Sequence, residues 1–283
     1  MTISRNEFLQ ILGSSAAFAA AGCCGARCGC GCGKPRFGLQ LYSIHKIFWK
    51  EPERILAALK AGGYDGVEFY NYNGLTAKAL RKMCDDAGVK AMGTHLNGDV
   101  DLVGDALKRT LDFAAEAGFE SLVTPHAKRD SADEYRRFGQ EMGRAAEAAD
   151  AYGIRVGIHS TYHHFTTTYG GETAWDMIYK EASPKLYQQI DTGNTFNTGY
   201  DVVGLLKKYP NRHFSIHAKE NVPTVDGAFG VPPTDGGKCV PWQELIAYMK
   251  TETSLKWWIV EAEGRPDSVE PALTCLKTLK GWL

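Results

Sequence analysis

The feature that most constrains this chain is an alternation. From Phe37 onward, short β-prone runs lie at 37–43, 66–70, 89–95, 120–125, 154–159, 186–191, 213–219 and 257–263. Between the earlier ones, EPERILAALKAGG, TAKALRKMCDDAG, DALKRTLDFAAEAG and SADEYRRFGQEMGRAAEAADAYG have helical spacing and end in glycine, the usual helix stop. Shorter helices are expected at 171–182, 201–209, 241–251 and 268–282. Eight such units over about 250 residues fit a single-domain α/β fold, the (β/α)8 TIM barrel. An open doubly wound sheet is disfavoured, because no glycine-rich phosphate loop follows the first run.

A barrel gives meaning to polar residues at the carboxyl ends of its strands, where active sites form. Read in order, those ends carry Gln40 and Tyr42, Glu68, His95, His126, His159, Asp191, His217 with Lys219, and Glu261 with Glu263. Nearly all can bind a metal or move a proton. Asp191 and Glu261 inside one barrel mouth would repel unless a cation or proton sat between them. One divalent ion held by His159, Asp191, His217 and Glu261 removes that repulsion. Mixed nitrogen and oxygen donors suit Mn²⁺, Zn²⁺, Co²⁺ or Fe²⁺ better than Ca²⁺, with Mg²⁺ also admissible. His163 and His164, in HSTYHHF, fall past the fifth strand end and are read as substrate-facing residues of a loop over the mouth.

The segments LQLYSI, GYDGVEF, GTHLN, GIRVGIHSTYHHF, IDTGNTFNTGYDVVGLLKKYPNRHFSIHAKE and IVEAE resemble the xylose-isomerase-like TIM-barrel superfamily. The resemblance covers residues 37–283 and is in particular to bacterial proteins called sugar phosphate isomerase/epimerase. It implies one divalent metal bound at the ends of strands five to eight, matching His159, Asp191, His217 and Glu261. Epimerases of this superfamily usually carry glutamate at the strand-five position and pair it with the strand-eight glutamate for proton transfer. Here His159 occupies that position. A branch with a GYHNHxxEF motif also has histidine there, but this chain departs from it at Thr161 and His164.

The expected function is therefore a metal-dependent sugar isomerase or epimerase. It would remove the proton beside a carbonyl through a metal-stabilised enediolate. Elimination from a 3-keto-glycoside, or dehydration, shares that first step. Glu261 and His95 are the candidate bases, and Lys219 the candidate partner of the oxyanion. Tyr42, Glu68, His126, His163, His164 and Glu263 are candidate substrate contacts. Phe69, Tyr70, Tyr72, Tyr162, Phe196 and Trp242 are further aromatics able to face a sugar ring. A non-catalytic sugar-binding lipoprotein is the alternative of a different class.

The formal net charge of −1 leaves no basic stripe, so nucleic acid is not an expected partner. An abasic-site endonuclease on the same barrel would need such a face and more zinc ligands. The first 34 residues read as an export signal and a Gly/Cys-rich tether, CCGARCGCGCG, ahead of a catalytic domain at 35–283. SRNEFLQ resembles a twin-arginine signal with Asn6 at the second arginine, and AAGC resembles a lipoprotein cleavage site at Cys23. The expected location is the bacterial periplasm or cell envelope, with a lipid anchor at Cys23 as the membrane contact. Export favours an unphosphorylated sugar, keto-sugar or glycoside, and no arginine cluster stands at the later strand ends to hold a phosphate.

Overall fold

The computed structural model describes residues 36–125, 127–221, 229 and 237–283. The proposed export signal and tether, and His126, lie outside them. Strands β1 (Arg36–Gln40), β2 (Gly66–Phe69), β3 (Lys90–His95), β4 (Ser121–Thr124) and β5 (Arg155–His159) come first in the chain. A small antiparallel hairpin follows, β6 (Thr168–Tyr169) and β7 (Glu172–Thr173), then β8 (Tyr187–Asp191), β9 (Ser215–Ala218) and β10 (Trp257–Val260). All strands but the hairpin pair in parallel and close into a barrel in the order β1-β10-β9-β8-β5-β4-β3-β2. The expected eight-stranded barrel is what the chain forms.

The helices are α1 (Pro52–Gly62), α2 (Ala77–Asp86), α3 (Gly104–Ala117), α4 (Ala132–Asp150), α5 (Tyr162–Thr166), α6 (Ala174–Glu181), α7 (Thr192–Phe196), α8 (Val202–Lys208), α9 (Trp242–Met249) and α10 (Glu270–Trp282). Gly63 and Gly118, at φ 97° and 74°, end α1 and α3 in the left-handed conformation that glycine adopts without steric cost. Threonine and serine oxygens start three others: Thr76, Ser131 and Thr173 each accept the backbone N–H three residues on.

Several strands stop earlier than their β-prone runs. β1 gives way to a 3-10 turn at Leu41–Ile44, because the Gln40 side-chain oxygen accepts the Tyr42 N–H at 3.1 Å and turns the chain. At the end of β8, Asp191 Oδ1 accepts Asn194 N–H at 2.7 Å and caps α7. The same strand-end side chains that face the site thus also bend the backbone away from it.

The barrel interior is apolar at one end and polar at the other. Met92, Trp257 and Ile259 fill the amino-terminal end. Glycine makes room for the large rings: a Cβ on Gly66 would lie 2.8 Å from Trp257, and one on Gly157 2.6 Å from the Tyr187 ring. Above this layer, inward positions two residues apart on each strand carry Gln40, Glu68, His95, His159, Gln189, Asp191 and His217.

Candidate metal centre

Donor atoms of His159, Asp191, His217 and Glu261 all lie within 4.8 Å of one another, and all four residues are buried. They come from the ends of β5, β8, β9 and β10. His217 donates from Nδ1 to Glu261 Oε2 at 2.6 Å and from Nε2 to Glu68 Oε2 at 2.7 Å. Burial alone would lower its pKa, but Glu68 and Glu261 overcome this and raise it to about 10. Glu261 shows the mirror effect: burial would raise its pKa, yet Lys219 and His217 hold it well below the usual range. Burial, followed by the charges on His217 and His95, keeps His159 well below 6.5, so it is a neutral imidazole at pH 7. Burial pushes Asp191 up to about 6, with Lys219 opposing the rise and Glu261 adding to it.

These residues fit a divalent cation. Asp191 Oδ2 is buried and accepts no hydrogen bond among the described residues. The nearest nitrogens with which it could pair, Lys219 Nζ and His159 Nε2, each stand 3.7 Å away, beyond hydrogen-bond reach. A buried carboxylate oxygen without a partner is costly, and a cation beside it answers that cost. Four carboxylates, Glu68, Asp191, Glu261 and Glu263, face Lys219, His217 and His95, so carboxylates outnumber the groups able to carry positive charge.

Beside the cluster opens a cavity of about 520 Å³, lined by Gln40, Tyr42, Tyr70, His95, Leu96, Asn97, Pro125, His159, Thr161, Asn194, Lys219, Glu261 and Glu263. Tyr42 forms its rim, 45% exposed, stacked on His45 at 4.6 Å and edge-on to Tyr70 at 5.5 Å. Lys219 Nζ lies 2.6 Å from Glu263 and 3.3 Å from Glu261. Burial works against its charge, but Glu261, Asp191 and Glu263 outweigh that and raise its pKa above the ordinary lysine value. Lys219 is therefore a permanent cation here, unsuited to act as a base.

Of the expected substrate contacts, Tyr42 and Glu263 line the cavity, as does the candidate base His95. Glu68 does not: its carboxylate is fully buried under the centre, accepting from Gln40, His217 and Gln189. Burial would raise its pKa, but His95 and His217 pull it well below the usual range. His164 is also misplaced by the sequence reading. It is fully buried against Trp175, and its Nδ1 accepts the Thr161 N–H at 3.0 Å while the Thr161 side chain caps the same turn. That reciprocal cap folds the expected loop into α5. His163 is part of this turn, 3.0 Å from Thr161 Oγ1, and is not among the cavity residues. Phe69 and Trp242 are buried in the apolar core, and Tyr72 stacks on Phe113 there.

Sequence reasoning passed over Gln189. It lies at the centre of the polar layer, with Oε1 2.7 Å from His95 Nε2 and 3.1 Å from His159 Nδ1. Its position two residues before Asp191 on one strand was the available signal, because both then face the barrel interior.

A parallel eight-stranded barrel with a buried His/Asp/Glu cluster at the carboxyl ends of its strands defines a class: α/β barrels with a cluster that could hold a metal beside a cavity at the strand ends. Within that class, the chain belongs to the xylose isomerase-like TIM barrel family, whose profile matches residues 56–279. An inosose dehydratase of Bacillus licheniformis is 24% identical over 156 residues, 49% of this chain and 50% of that protein. Inosose dehydratase 1 of Bacillus cereus is 30% identical over 143 residues, 44% of this chain and 47% of its own. The chain thus spans about half the length of the curated relatives it matches. A sugar phosphate isomerase/epimerase from Parabacteroides distasonis superposes with a TM-score of 0.71 at 20% identity, covering 89% of this chain and 97% of that one. This likeness concerns the fold.

Proposed function

We propose that this protein is a divalent-metal-dependent enzyme acting on an unphosphorylated keto-sugar or ketone of a polyol. It takes the proton next to the carbonyl and expels an oxygen substituent from the neighbouring carbon. The observation that carries this reading is the buried donor set His159, Asp191, His217 and Glu261 opening on a cavity that also presents His95 and Lys219.

A divalent ion held by those four residues would act as a Lewis acid, polarising a carbonyl and acidifying the adjacent C–H. The protein's own groups divide the remaining tasks. Lys219, fixed as a cation, donates a hydrogen bond to the oxygen on which negative charge develops. His95 is within the cavity and is the group placed to hold or move the proton. Tyr42 and Tyr70 offer ring faces to a sugar at the rim. Glu263 and Glu261 add negative charge to the cavity, and Lys219, its one lysine among the described residues, is already held by carboxylates, which disfavours a phosphate there.

Elimination is favoured over two-base epimerisation by the residue at the end of β5. With Nδ1 hydrogen-bonded to Gln189 and Nε2 given to a metal, His159 would have no lone pair left to serve as the second base. Epimerisation stays as the second reading because His95 and Glu261 both line the cavity, from β3 and from the end of β10. The inosose dehydratase relatives support an elimination chemistry for this chain. The leader-like first 34 residues support a place in the cell envelope, with a lipid at Cys23 as anchor.

The test is elemental analysis of the purified protein beside Asp191→Ala, followed by incubation with keto-sugars and ketopolyols in D₂O. About one metal per chain, lost in the variant, and a conjugated carbonyl product with enhanced ultraviolet absorption support the dehydratase reading. Deuterium in an epimerised substrate with no conjugated product would move the assignment to epimerase. Carbohydrate binding without metal or turnover would leave a sugar-binding protein.

A further inference from the structure

We propose that Gln189 is a positioning residue that sets the tautomers of two histidines at once, His159 and His95. The inference rests on the metal-site reading above for its purpose, but its geometry stands alone.

Gln189 is fully buried, and its amide has only one workable orientation. One end meets Glu68 Oε1 at 2.8 Å and Ser215 Oγ at 3.0 Å. An ionised carboxylate accepts only, so the amide NH₂ must be the end that faces it. The carbonyl oxygen is thereby turned to the other side, where it meets His95 Nε2 at 2.7 Å and His159 Nδ1 at 3.1 Å. An amide oxygen accepts only as well. Both imidazole nitrogens must therefore carry hydrogen.

The consequences differ for the two rings. With Nδ1–H given to Gln189, a neutral His159 has its lone pair on Nε2, the nitrogen that faces Asp191 Oδ2 at 3.7 Å. A metal ligand needs that lone pair. With Nε2–H given to Gln189, a neutral His95 has its lone pair on Nδ1, which makes no hydrogen bond among the described residues. The same amide thus readies one histidine as a metal donor and the other as a proton acceptor. The rings lie 4.8 Å apart and need opposite nitrogens protonated, which the shared amide oxygen supplies, with Glu68 Oε2, 3.3 Å from His95 Nε2, favouring the same tautomer of His95.

Histidine-selective ¹⁵N labelling of the metal-free protein at about pH 8, with long-range proton–nitrogen correlation, reads both tautomers directly. Wild type should show His159 protonated on Nδ1 and His95 on Nε2. Gln189→Met keeps the volume but removes the acceptor, and should lose the Nδ1–H preference of His159. Calorimetric titration of the same variant with Co²⁺ should show binding weakened by about 10–100-fold, the usual effect of deleting a partner behind a metal-binding histidine. His159 protonated on Nε2 in wild type would overturn the proposal, and this arm holds even if the variant fails to fold. A folded Gln189→Met with wild-type tautomers would overturn it too. No Co²⁺ binding by wild type would defeat the metal reading instead, while the spectra would still decide the role of Gln189.

Discussion

Asp176 shows how much of this protein is decided one side chain at a time. It sits in the first turn of α6, nearly buried, and its carboxylate accepts from Lys208 Nζ at 2.8 Å and Tyr209 OH at 2.6 Å. Burial would raise its pKa, but those two donors more than offset it and the value falls below the ordinary 3.8. A lowered carboxylate stabilises the fold above its unfolded pKa and loses that contribution as pH falls through the folded value. Asp176→Asn should therefore cost about 1–3 kcal/mol at pH 7, read by urea unfolding, with the difference shrinking below about pH 4. Lys219 invites a second substitution. Lys219→Met removes the fixed cation beside the cavity, so turnover should drop by about 10²–10³-fold while metal content persists. Unchanged turnover would relegate Lys219 to a rim ion pair with Glu263.

At the scale of single elements, β5 and β8 fit closely together. The Tyr187 ring occupies the space a Cβ on Gly157 would take, at 2.6 Å, and the Tyr187 hydroxyl accepts from Ser215 at 3.2 Å. Gly157→Ala should destabilise the barrel by about 1–3 kcal/mol, as overpacking a filled interior does, measured as a fall in the denaturant midpoint. Because Ser215 also accepts from Gln189, the shift should reach the polar layer and weaken metal binding as well. The turn after β5 was harder to read. HSTYHHF looks like a loop on composition, yet Thr161 and His164 satisfy each other's backbone N–H groups and close one helical turn. A histidine that completes a cap has the same letter as one that meets substrate, and only its partners separate the two.

For the molecule as a whole, the metal should behave as part of the fold. A ligand that binds only the native state adds about 2.7 kcal/mol at 100 times its dissociation constant. Removing the ion with a chelator should lower Tm, and Asp191→Ala should abolish the difference between chelated and loaded protein. Binding should also release protons. The proton that His217 Nδ1 shares with Glu261 must leave, and below about pH 6 Asp191 carries one too. Affinity should therefore rise with pH from 5 to 8, and calorimetry in buffers of different ionisation enthalpy should record the release.

What the chain alone made legible was the periodic part. Eight β-prone runs with intervening amphipathic helices and terminal glycines identify a closed parallel barrel, because burial on both faces of each strand and on one face of each helix leaves that pattern in any sequence. The same frame marks strand-end residues as candidates, and His95, His159, Asp191, His217, Lys219, Glu261 and Glu263 do converge on one mouth. Tertiary structure decided which of those side chains reach the cavity and which hold the others in place. Glu68 and Gln189 are strand residues like their neighbours, but barrel closure puts them one layer below the mouth. Their roles depend on partners 121 and 94 residues away in the chain, Gln189 to Glu68 and to His95. Local patterning carries no record of such distant hydrogen bonds, since they exist only once the strands have closed on one another.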